Sequence, residues 1–163
     1  MNMSVLLIHL FVLIVIANGM PIIARKMLGD KWNLPVDGGL VFIDQKRLFG
    51  ASKTWRGLLS ALLVTGLAAV LLGYEISTGL LIAAAAMLGD LLTSFSKRRM
   101  NLPASSMAPL FDQLLESLLP ALLMMQMFTL NYLSVLLLVT GFVVFDLIFS
   151  RLLYKIGLRR RPY

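Results

Sequence analysis

Long apolar stretches, each near the length of a membrane crossing, leave this chain few ways to fold in water. The first runs from Val5 to Ala24 without a charge, interrupted only by His9, Asn18, Gly19 and Pro21. A helix needs ~20 mostly apolar residues to cross the ~30 Å hydrocarbon layer, and further runs at 57–74, 76–96, 112–129 and 132–150 come close to that length. The spacing predicts an all-α, polytopic membrane protein of five transmembrane helices. These form a single integral membrane domain over 1–163, with a long cytoplasmic loop between the first two helices. Hydrophobic residues make up 59% of the chain, against about 45–50% in soluble domains, so the excess must face something other than water.

The positive charges set the orientation. Seven of the fifteen Lys and Arg lie between Arg25 and Arg56, three at Lys97, Arg98 and Arg99, and five from Arg151 onward. Five crossings put these three regions on one side, and the positive-inside rule makes that side the cytoplasm. The expectation is a multi-pass protein of the cell (inner) membrane with its N-terminus outside and its C-terminus cytoplasmic. A cleaved signal peptide is disfavoured, because the basic n-region is missing and cleavage would place the most basic loop outside. Cations in short loops between apolar runs read as topology signals and as partners for anionic membrane lipids or phosphate rather than for nucleic acid. The chain has no cysteine, which excludes disulfides, thiol catalysis and thiolate metal sites. The single histidine, His9, reads as a helix-packing hydrogen bond.

An acid at bilayer depth costs ~2.5–3.5 kcal/mol on insertion scales, so each one asks for a reason. Asp90 precedes Lys97 by seven residues, ~10 Å of helix; Asp112 and Glu116 open the fourth helix one turn apart on one face. Gathered in the cytoplasmic half of the membrane, Asp90, Asp112 and Glu116 suit Mg²⁺, which takes few carboxylates and completes its shell with water and substrate phosphates. The plainer reading of Asp112 and Glu116 is acids favoured by a helix N-terminus, and Asp146 reads as the neutraliser of a nearby arginine. Ser94 and Lys97 continue the face of Asp90, with Arg98 beside them. Lys53, Thr54 and Arg56 form a second cluster just ahead of a helix start, whose free amides also bind anions. Together, metal, cations and amides describe a polyphosphate site; the plain alternative for Lys53 and Arg56 is an interface anchor beside Trp55.

Gly89-Asp90, Ser94, Lys97-Arg98 and Leu110-Phe111-Asp112-Gln113 form a pattern that resembles the signature of the CTP:phosphatidate cytidylyltransferases, most closely the short five-helix branch typified by CDP-archaeol synthase. The resemblance extends to Asn18-Gly19-Met20-Pro21, Pro35-Val36-Asp37-Gly38-Gly39 and Phe49-Gly50-Ala51-Ser52-Lys53-Thr54-Trp55-Arg56-Gly57. It implies an Mg²⁺-dependent enzyme that joins an anionic lipid phosphate to the cytidine monophosphate part of CTP and releases pyrophosphate. It further implies metal carboxylates at Asp90 and Asp112, phosphate-side cations at Lys97 and Arg98, and a nucleotide cradle at Lys53, Thr54 and Arg56. Asn18, Asp37 and Gly38 match motif positions without an assigned role. The second acid of the pattern falls one residue later than usual, at Glu116, and the stretch from Pro103 to Pro109 stands where larger relatives carry glycines.

Two rival readings remain at this level. A CDP-alcohol phosphotransferase would need a dense double-aspartate motif that does not follow Asp37-Gly38. A small transporter or lipid-binding scaffold would use Asp90 and Asp146 alone, with no role for Lys53, Arg56 or Lys97. Lipid tail chemistry and oligomeric state are not encoded in any motif.

Overall fold

A computed structural model describes residues 2–102, 110–155 and 157. Its described elements are α1 (Met3–Leu28), α2 (Trp55–Leu71), α3 (Ile76–Arg99), α4 (Phe111–Leu123) and α5 (Tyr132–Lys155). The all-helical expectation holds: among the described residues, β pairing is limited to two isolated bridges, Pro35 with Thr54 and Val41 with Arg47. Three helices, α1, α3 and α5, are long and apolar enough to cross a membrane.

The boundaries follow from local chemistry. Thr54 caps α2, its hydroxyl accepting from the Gly57 amide at 3.4 Å. That helix stops before the expected Tyr74 because Gly73, at φ +85°, takes the left-handed turn that lets Gly73 and Tyr74 donate back to Val70 and Ala69. The fourth helix differs most from expectation, ending at Leu123 instead of Thr129. Pro120 removes one amide from its interior. Beyond Leu123 the backbone closes in turns, with Leu130 N–H donating to Met125 C=O at 2.8 Å and Thr129 at φ 49°. The stretch 103–109, with its two prolines, lies outside the described residues.

Helix α1 touches all four others, and α3 packs against α1, α2 and α4. At the end away from the basic segments, Leu10, Leu13, Ile14, Ile82, Phe128 and Phe142 form the main core. There His9 Nδ1 lies 3.1 Å from the Tyr74 hydroxyl, the packing bond expected of it. Outward faces carry apolar side chains, such as Leu59, Leu63 and Leu67 on α2 and Leu133, Leu136 and Leu137 on α5. Such stripes belong against lipid.

Where α1, α2 and α3 meet, the core shrinks to Ala17, Ala61, Ala83, Ala86 and Met87. Small residues let helix backbones approach closely where lipid removes the hydrophobic drive for association. Two glycines are needed for this. A Cβ at Gly79 would meet the Thr65 carbonyl oxygen and Ala69, and one at Gly89 would stand 2.5 Å from the Leu115 carbonyl oxygen and 3.0 Å from the Glu116 nitrogen. Gly89 thus brings the first turns of α4 onto α3 beside Asp90. Gly89→Ala is expected to lower stability by about 1–3 kcal/mol, the usual range for overpacking, read as a lower thermal midpoint of the purified protein in detergent. An unchanged midpoint would mean that α3 and α4 do not meet there.

Candidate functional site

Loop one, residues 29–54, folds back over the basic end of the bundle, and charged side chains organise it. Asp37 is 2% exposed. Its carboxylate accepts from the amides of Gly39 at 3.0 Å, Phe49 at 3.2 Å and Gly50 at 2.8 Å, and pairs with Arg47. Gly38 and Gly39, at φ +54° and +88°, supply the left-handed turn that wraps the loop around it. Arg56, 8% exposed at the head of α2, donates to the carbonyls of Gly29 and Lys31, both at 2.6 Å, and to Asn33 Oδ1 at 3.1 Å. The far side of the loop is held by Arg99, which donates to the Arg47 carbonyl at 2.8 Å, lies 2.8 Å from Asp44, and sits over the rings of Phe42 and Phe95.

Beneath this loop is a cavity of roughly 450 Å³, lined by Pro21 and Arg25 of α1, Asn33, Lys53, Thr54 and Arg56, and floored by Met87 and Asp90 of α3. Lys53 reaches down from the loop to pair with Asp90. Glu116 lies within electrostatic reach of both Asp90 and Lys53. Two helix turns further along α3, the Lys97 ammonium, 7% exposed, lies 2.7 Å from Asp112 Oδ2. Ser94, 3% exposed, is buried on α3 between these two pairs in sequence.

The structure therefore brings the predicted acids and cations together at one end of the bundle and arranges them as two lysine–aspartate pairs, with Glu116 beside the first. Among the described residues, no three carboxylates or histidines converge as a ready-made metal cage. The donor set still fits a hard cation that binds with phosphates, which needs only one or two carboxylates from the protein. Asp112 Oδ1 is buried without a hydrogen-bond partner, an oxygen of the required kind. Thr54 spends its hydroxyl on the helix cap, Arg98 is half-buried in the last turn of α3, and Asn18 donates to the Ile14 carbonyl of its own helix at 3.0 Å. Asp146 accepts from Gln113 at 3.1 Å and from Ser150 at 3.4 Å.

Sequence reasoning missed Arg25, Asn33 and Arg99. Arg25 was legible in principle, since it falls seven residues after Asn18 on the same helical face. Asn33 and Arg99 serve partners far away in the chain, which no local pattern reports.

Helices suited to crossing a membrane, joined to a charged site sunk into their packed basic end, define a multi-pass membrane protein with an intramembrane polar centre. The family model described as CarS-like: CDP-archaeol synthase matches residues 3–163. The chain is similar to CDP-archaeol synthases of Thermofilum pendens (36% identity, covering 61% of this chain and 51% of that protein), Pyrococcus furiosus (39%, covering 60% of each) and Pyrobaculum aerophilum (36%, covering 69% and 70%). A solved structure of an intramembrane enzyme for archaeal membrane lipids biosynthesis superposes with a TM-score of 0.74 at 30% identity, covering 86% of this chain and 90% of that one. The chain belongs to the CDP-archaeol synthase family; the matches span about half of the Thermofilum protein and three fifths of the Pyrococcus one.

Burial opposes charge on Asp37, but Arg47 and the amides of Gly50, Gly39 and Phe49 outweigh it and hold the carboxyl at about 2, below its ordinary 3.8. A depressed carboxyl contributes stability that is complete above its unfolded value and is lost as pH falls through the folded one. The amides of Gly39, Phe49 and Gly50 are expected to stay protected from hydrogen exchange at pH 5 and to lose protection as pH falls from about 4 toward 2. In Asp37→Asn they should exchange fast throughout. Equal protection in both proteins at pH 5 would show that the carboxylate does not organise the loop.

Proposed function

We propose that this chain is a membrane cytidylyltransferase that transfers CMP from CTP to an archaeal-type lipid phosphate, giving a CDP-lipid and pyrophosphate. The observation that carries the reading is the loop-one cavity, whose cationic wall of Arg25, Lys53 and Arg56 faces Asp90 at its floor. That is a binding surface for a polyphosphate next to a carboxylate. Family membership supplies the reaction class, and the similar CDP-archaeol synthases point to an ether-lipid substrate.

An oxygen of the lipid phosphate attacks the α-phosphorus of CTP, a new P–O bond forms, and the bond to the β-phosphate bridge breaks. The lipid phosphate brings its own nucleophile, so the protein's part is positioning and charge neutralisation. On this reading Lys53 holds the nucleotide phosphates from the loop side. Lys97 holds phosphate from the side of α4. Asp90, Asp112 and Glu116 would hold Mg²⁺, which when bound neutralises phosphate charge and polarises phosphoryl oxygens. Asp37, Gly38 and Arg56 keep loop one in the shape that presents Lys53. Packing of α3 against α1, α2 and α4 confines the reaction to the membrane's edge, where a lipid headgroup reaches it without leaving the bilayer.

We further infer five crossings over a single domain 1–163, with loop one, residues 97–111 and the C-terminal end on the cytoplasmic side. The shorter α2 and α4 complete the crossing in company with longer neighbours. The distribution of all fifteen cations supports this topology.

Purified protein with CTP and Mg²⁺ is expected to release pyrophosphate only when a lipid phosphate is added, and faster with an archaeal-type ether lipid than with phosphatidate. Asp90→Asn should lose turnover by at least about a hundredfold, the scale seen when one electrostatic contact to the transition state is removed, while still inserting and purifying. Release without lipid, or normal turnover in Asp90→Asn, would overturn this reading.

A further inference from the structure

Loop one contains a short hairpin that the polyphosphate site does not use. Its turn closes with the Gln45 amide donating to Phe42 C=O at 2.9 Å and the Phe42 amide donating to Lys46 C=O at 2.7 Å, and its stem with the Leu48 amide donating to Leu40 C=O at 3.1 Å. Along it run four consecutive apolar residues, all exposed: Leu40 (64%), Val41 (56%), Phe42 (40%) and Ile43 (88%). A run of that kind facing water is a fault unless it has a use.

Its position in the fold indicates the use. The Phe42 ring meets the Phe95 ring edge-on at 5.4 Å, and the Arg99 guanidinium lies 5.0 Å and 4.7 Å from the two ring centres. Lys46 Nζ donates to the Arg99 carbonyl at 3.0 Å and Arg99 donates to the Lys46 carbonyl at 3.2 Å, so the hairpin is tied to α3 from both directions. Phe95 lies one turn inside Arg99 on a helix long and apolar enough to cross a membrane. The hairpin is therefore pinned beside the last turns of α3, at the depth where a membrane helix passes into headgroups. Leu92 and Leu88, one and two turns below, are exposed on the same helix at 42% and 52%, so outward apolar surface continues from α3 toward the hairpin. Lys46, Arg47, Arg98 and Arg99 outnumber Asp37 and Asp44 around it, which suits an anionic lipid surface.

We infer that the hairpin 40–48 is an interfacial membrane anchor that inserts Leu40, Val41 and Ile43 among the headgroups of an anionic bilayer, held at that depth by the clasp of Arg99 on Phe42 and Phe95. Apolar side chains take up interfacial acyl surface while neighbouring cations meet lipid phosphates. Loop one is then fixed by the bilayer as well as by α3, and its cavity opens at the level of the lipid headgroups.

The absence of cysteine allows a clean test on the full chain. Ile43→Cys and, as a water-facing reference in the same loop, Lys31→Cys, exposed and outside the cavity lining, are each labelled with an environment-sensitive fluorophore and reconstituted into vesicles containing phosphatidylglycerol. The label at position 43 should emit further to the blue, be quenched several-fold less by aqueous iodide than the label at position 31, and be quenched by lipids brominated near the headgroup end of the acyl chain. Adding Arg99→Gln should shift the position-43 label toward the behaviour of position 31. Equal iodide quenching at the two positions, with no quenching by brominated lipid, would overturn the proposal. Because the readout is depth and not turnover, it is decided independently of the catalytic reading.

Discussion

A carboxylate two turns inside a membrane helix cannot remain charged unless a cation reaches it, and the cation that pairs with Asp90 comes from the loop that carries Lys53. The rest of the basic end is arranged to satisfy that demand. For Lys53 to reach down, loop one must fold back over the bundle instead of trailing in water. Arg56 ties the loop's first turn to the head of α2, Asp37 gathers its middle, and Arg99 clasps its outer hairpin. Each of these uses a charged group on backbone amides or carbonyls, the strong kind of hydrogen bond available to a segment without regular secondary structure.

The same point in α3 solves a steric problem. Gly89 lets the backbone of Leu115 and Glu116 come against α3, and this approach brings Glu116 within electrostatic reach of Asp90, the next residue. A larger residue at 89 would separate the helices, leaving Asp90 with its loop partner only. The adjacent pair of a glycine and an aspartate thus joins two requirements, close backbone contact and a buried charge, that neither residue meets by itself. The alanine-rich stretch before it works toward the same end against α2.

Legibility in the sequence divides along the range of the interaction. The all-helical class, the elements near their observed positions and the gathering of the acids with Lys53 and Lys97 followed from runs of apolar residues, the placement of cations, and the insertion cost of an acid. These are local quantities. The early end of α4 was less legible, because Pro120 is tolerated within the helix and the break comes from turns closed by backbone bonds beyond Leu123. Asp37 and Arg56 were noticed as motif positions, and what no motif reports is that in the fold their side chains also hold loop backbone. Nothing local distinguishes an arginine that meets phosphate from one that meets the carbonyls of Gly29 and Lys31, more than twenty residues earlier. Arg99 was read as a topology signal for the same reason.

The pairing of Lys53 with Asp90 and Lys97 with Asp112 bears on how a site of this composition would respond to substrate. Each lysine neutralises a carboxylate, so the buried charges are balanced before any phosphate arrives. A polyphosphate entering the cavity offers the lysines a stronger anionic partner, and a carboxylate released from its lysine becomes a better ligand for a divalent cation. On the proposed reading, nucleotide and metal would then favour one another through exchange of partners rather than through a preformed cage. Reciprocity follows from linkage: whatever the metal adds to nucleotide affinity, the nucleotide must add to metal affinity. Asp90 also lies within electrostatic reach of Lys97, and Lys53 within reach of Asp112, so an exchange at one pair is felt at the other.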